Sequence, residues 1–173
     1  AIGIPDHSRV NYLHARGWSL RAVQKTVVTF IQEHPGCILF LDSISRSDIG
    51  GSLIEDDTAN NWTTLMNSLS RSWFAVGHTS KANNEEIYGS VHWMAGADLG
   101  IKLLSEQRGN ALGVCLEVTK ANDIARPAKQ YLALEFTEPD TDGNSHLSGV
   151  RKASAMEFPE LEAITKKTLA VRL

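Results

Sequence analysis

Two short apolar runs, each stopped by polar residues, limit what this chain can build. Residues 37–41 (CILFL) run into Asp42, and residues 73–76 (WFAV) run into Gly77 and His78. Apolar residues without alternation suit strands buried on both faces, the pattern of a parallel sheet. The segments around them have a different period. Leu20, Val23, Val27, Phe30 and Ile31 recur at helical spacing, which predicts a helix over 20–33 with Ser19 as its N-cap and His34-Pro35-Gly36 as its stop. Trp62, Leu65, Met66 and Leu69 share one face of a second helix, and Asp56 and Asp57 ahead of them favour its positive N-terminus.

The rest of the chain completes the reading. Residues 9–15 read as a short strand and 43–57 as a polar, glycine-containing loop. A helical stretch falls near 90–96, and strands follow over 98–105, 112–119 and 131–137. Gln107-Arg108-Gly109-Asn110 supplies a hairpin turn, 139–149 read as a turn-rich loop, and 159–172 as a closing helix. The expected fold is α/β: a largely parallel sheet flanked by helices, with an antiparallel C-terminal extension over about 138–173, all in one domain spanning 1–173.

Bulk properties narrow the function classes. With 173 residues and 42% hydrophobic content, the chain can support a real core. A formal net charge of −3 argues against a broad non-specific grip on nucleic acid and leaves room only for a local basic patch. Cys37 and Cys115 each sit in an apolar run, as buried free thiols do. No apolar run approaches the ~20 residues of a membrane span, and the first residues lack a signal-peptide pattern. A cytoplasmic protein without membrane association is expected. The six histidines form no zinc-type spacing. Residues 140–144 (DTDGN) hint at a calcium loop, but the glycine comes early and Arg151 stands where a bidentate Glu belongs, so a solvated turn is expected.

In α/β sheets, ligands collect at the carboxyl ends of parallel strands. That rule singles out Asp42 and His78. An acidic side chain there can hold a Mg²⁺-bound water beside nucleotide phosphates, as a Walker B aspartate does. A polar ring one strand further on can sense the terminal phosphate. Taken singly, an Asp ending a strand is more often a capping or turn residue, and a lone His more often a surface group.

The order of motifs adds a resemblance. LFLDSISR, a glycine-containing loop and helix, VGHTSK, YGSVHWMAGADLGIKL and VTKAND, over residues 36–136, resemble the RecA-like ATPase domain of RepA-type replicative helicases. The resemblance implies that Asp42 is the Mg²⁺-linked carboxylate with Ser43 beside it, and that His78 is the sensor. It implies that Lys81 and Ser90 are loop residues near nucleotide or DNA, and that Lys120 is a finger reaching a neighbouring subunit's phosphates. Where such proteins carry Lys-x-Arg, this chain has Lys120-Ala121-Asn122, and Arg126 is the alternative finger. ATP and Mg²⁺ are the implied cofactors of an intact parent, with a homo-oligomeric ring and DNA as partners.

The sequence contains no G-x-x-x-x-G-K-[ST] loop. Lys25-Thr26 lies inside the first predicted helix and cannot open a phosphate cradle. The expectation is therefore the Walker B and sensor half of a DNA-replication or DNA-unwinding motor, with no tight ATP binding by this chain alone. The alternative is a degenerate RecA-like module that binds protein partners and hydrolyses nothing.

Overall fold

The computed structural model describes residues 10–47, 50–79 and 87–161. The chain divides into two compact units, one of Asn11–Ala97 and one containing the residues from Asp98 onward.

The first unit is α/β. Its elements are α1 (Leu20–Glu33), β1 (Leu39–Asp42), α2 (Asp56–Leu69), β2 (Trp73–Val76) and the short α3 (His92–Ala95). Helix α1 starts where Ser19 accepts a hydrogen bond from the Ala22 amide at 3.1 Å. Asp56 and Asp57 occupy the first turn of α2. β1 and β2 pair in parallel, with Leu39 opposite Trp73 and Asp42 opposite Val76. Leu39, Leu41, Trp73 and Ala75 pack on a core built from Leu20, Val27, Ala59, Trp62, Met66, Leu69 and Trp93. Trp62 is 1% exposed and sets its ring edge-on to Trp73 and Trp93.

The second unit is a four-stranded antiparallel meander, in the order β3 (Leu99–Arg108), β4 (Ala111–Ala121), β5 (Gln130–Phe136) and β6 (Leu147–Ala153). Gly109, at φ 53°, forms the β3–β4 turn with Asn110. The register separates two faces. Leu104, Cys115, Tyr131 and Ala153 share one, and Gly113 and Ala133 continue it. Phe158 and Leu161 cover that face. A side chain at Gly113 would stand 2.3 Å from the Phe158 ring, so only glycine lets the ring settle there. The carboxylate of Glu106, buried on the same face, accepts hydrogen bonds from the amides of Glu160 and Leu161 at 2.9 and 3.2 Å. It thereby caps the start of the terminal helical turn. The opposite face carries the larger aliphatics. Leu103 and Leu116 pair across it, as do Val114 with Leu132 and Leu112 with Leu134, and all remain partly exposed.

Several expectations change. Among the described residues two strands are parallel and four antiparallel, so the sheet content is not largely parallel. β3 to β6 follow one another through turns and loops, which can only reverse a strand; a parallel neighbour needs a long crossover. Residues 10–15 form no strand and are largely exposed, with no ladder to join. β1 is buried on one face only: Phe40 is 60% exposed and stacks on the exposed Phe74 with ring centroids 5.3 Å apart. The turn-rich segment at 139–149 ends in β6, whose Gly, Arg and Lys mask its alternation. Of the closing helix expected over 159–172, residues 162–172 lie outside the described residues. Both cysteines are free; Cys115 is buried and Cys37 half-buried. Burial pushes the Cys115 thiol pKa up, opposed in part by a hydrogen bond with Tyr131. No helix among the described residues is long and apolar enough to cross a membrane.

Candidate functional site

The parallel register places the ends of β1 and β2 side by side. Asp42 is the last residue of β1 and lies level with Val76, the last of β2, and His78 follows two positions later. Asp42 therefore ends β1, and His78 follows the end of the neighbouring parallel strand β2 by two residues, at the same end of the pair. Both are exposed.

The chain leaving β1 is tightly held. The Asp42–Ser43 peptide is cis. Ser43 is buried, with its hydroxyl 3.0 Å from that of the exposed Ser45. Ser47 is also buried: its hydroxyl donates to the Ile44 carbonyl at 2.6 Å and accepts from the Trp62 indole N–H at 2.9 Å. The Ser47 carbonyl accepts the Leu20 amide at 2.7 Å, at the start of α1. The turn carrying Asp42 is thus tied to the core tryptophan and to the N-terminus of a helix. These serines fall in a stretch that reads as plain loop, because their partners are distant in sequence.

The chain leaving β2 passes close to Ile87 at Gly77. A side chain there would lie 2.2 Å from the Ile87 methyl, which crosses the end of the strand. Thr79 bridges to Ile87, and the His78 carbonyl accepts the Tyr88 amide at 2.7 Å. Lys81 lies outside the described residues.

Ser90 is buried rather than presented at a surface. Its hydroxyl donates to Asp56 at 2.6 Å and accepts the His92 amide at 3.0 Å. His92 Nε2 lies 3.6 Å from the other Asp56 oxygen. In the sequence Asp56 shows only as a helix-start acid, because a partner 34 positions away leaves no local signal.

Lys120 and Arg126 belong to the antiparallel unit. Lys120 is half-buried within β4, opposite Gly100, so it sits in the ladder and not beyond a strand end. Arg126 is exposed in the β4–β5 connection. The 140–144 segment forms a solvated turn, in which the Asp140 carboxylate accepts the Asp142 and Asn144 amides, both at 2.9 Å. The bond from the Asn144 amide is the main cause that lowers its pKa. Among the described residues no group of three or more His, Cys, Asp or Glu gathers around a common point.

No protein-family model matches the chain, and no curated protein or solved structure matches it.

Proposed function

We propose that this chain is the Walker B and sensor half of a RecA-like core, part of an ATP-hydrolysing motor that acts on DNA in replication or unwinding in the cytoplasm. The observation that carries the reading is the shared end of two adjacent parallel strands, where an aspartate closes β1 and a histidine follows β2 by two residues. In this role Asp42 would help hold Mg²⁺ through water, with Ser43 and Ser45 supporting its turn, and His78 would sense the terminal phosphate. Bound with the nucleotide, Mg²⁺ would neutralise charge on the transferring phosphoryl group. Hydrolysis breaks the terminal P–O bond as water attacks, giving ADP and phosphate. Lys120 or Arg126 would act as the finger toward a neighbouring subunit in a ring.

The sequence holds no phosphate cradle, and Lys25 and Thr26 lie inside α1. Most phosphate affinity in this class comes from loop amides and the loop lysine. Titration of Mg-ATP followed by NMR should therefore show affinity no tighter than millimolar. The shifts should fall on Ser43 and His78 and should be lost in Asp42→Ala. Micromolar affinity, or shifts confined to other residues, would overturn the reading.

One observation favours the second reading, a non-catalytic module that binds protein. The stacked Phe40–Phe74 pair and the aliphatic face around Leu103, which is 61% exposed, are apolar surfaces of the kind that mark protein contacts.

A further inference from the structure

We infer that Asp56 and Ser90 are positioning residues that fix His78 from a distance. The inference rests on the proposed function only for the importance of His78; the placement itself is independent of nucleotide. His78 lies beyond the β1–β2 ladder, whose last pair is Asp42 and Val76. Its backbone is held by the returning chain instead, through the Tyr88 amide on the His78 carbonyl and the isolated Thr79–Ile87 bridge. The position of His78 is therefore set by whatever sets Tyr88.

That anchor lies in the next two residues. Gly89, at φ +117°, passes so close to the Leu53 carbonyl that a side chain would stand 2.4 Å from its oxygen. The same carbonyl accepts both the Ser90 amide and the Trp93 indole N–H at 2.9 Å. The buried Ser90 hydroxyl then donates to the Asp56 carboxylate at 2.6 Å, a short charge-assisted bond. Asp56 sits in the first turn of α2, whose other face carries the fully buried Trp62 and Met66. A continuous path of bonds thus runs from a rigid helix through Asp56, Ser90 and Tyr88 to His78. With one donated and one accepted bond the Ser90 hydroxyl is engaged within the protein, and Ser90 acts through His78 instead of touching nucleotide.

The test compares two aspartates in the same helical turn. Asp56→Ala should speed amide exchange at Tyr88 at least tenfold and shift the His78 ring resonances, while the α2 amides from Trp62 onward keep their protection. Asp57→Ala removes the same charge from the same helix end and should do neither. Asp56→Asn, which keeps an acceptor oxygen, should recover most of the Tyr88 protection. Ser90→Ala should reproduce Asp56→Ala. Should it fail to fold, the comparison of the two aspartates decides alone, because Asp56 lies mostly at the surface. The inference is overturned if the two alanine variants behave alike, or if Tyr88 exchange and the His78 resonances stay unchanged in Asp56→Ala.

Discussion

The α/β unit and the antiparallel unit spend their apolar residues in opposite ways. In the first, large side chains make the core: Trp62, Met66 and Trp93 fill the space between helices and sheet. In the second, the centre of the covered face is small, at Gly113, Cys115 and Ala133, while Leu103, Leu112, Val114 and Leu116 on the other face stay partly exposed. The small face leaves room for Phe158 and Leu161 to approach the sheet. Bulk therefore fills the core of one unit, and small residues open the sheet centre of the other. The two units also differ in what they offer chemically. The first sets the end of β1 at Asp42 level with the end of β2, two residues before His78; in the second, alternation turns successive side chains of each strand to opposite faces.

The comparison is broken most severely by Trp62→Ala. The indole is 1% exposed, contacts two other tryptophans and donates to Ser47. Its loss should cost about 3–5 kcal/mol, read as a fall in the urea midpoint, with early loss of protection at the Leu20 amide that Ser47 holds. A smaller effect is expected from Glu106→Ala in the antiparallel unit. There a polar contact closes the core, and removing an acceptor of two helix-start amides should cost about 1–2 kcal/mol. Glu106→Gln, which keeps an oxygen in place, should recover part of it in the same denaturation experiment. The smallest effect should come from Leu103→Ser. Although leucine is strongly apolar, this one is 61% exposed, and the change should stay within about 0.5 kcal/mol. A loss above 2 kcal/mol would mean that the aliphatic face is buried in solution and that the contrast between the units is false.

The sequence made the first unit largely legible, because its signals are local and periodic. The apolar stripe of α1, its Ser19 cap and the acids opening α2 each act within one or two turns, and the structure contains them all. Asp42 and His78 were legible for the same reason: an apolar run that stops marks a strand end. β6 was not, since its Arg151 sits opposite Ala133 and is paired with Glu135 and Glu157, so charge falls where a core residue was expected. The one-sided burial of β1 was also hidden, because Phe40 is as apolar as Leu39 and Leu41 and only packing separates them. The Asp56–Ser90 bond depends on the chain folding back over 34 positions, which no short-range pattern records.

The claim that most needs testing is that the edge carrying Asp42 and His78 faces a nucleotide-borne cation. Mn²⁺ in place of Mg²⁺ broadens the resonances of nearby nuclei, so the chain can be titrated with Mn-ATP and the broadening mapped residue by residue. The account predicts the strongest broadening at Asp42, Ser43 and His78, its loss in Asp42→Ala, and a weaker effect at these residues when Mn²⁺ is added without ATP. Broadening centred instead on the exposed Asp140–Asn144 turn, and unchanged in Asp42→Ala, would contradict it.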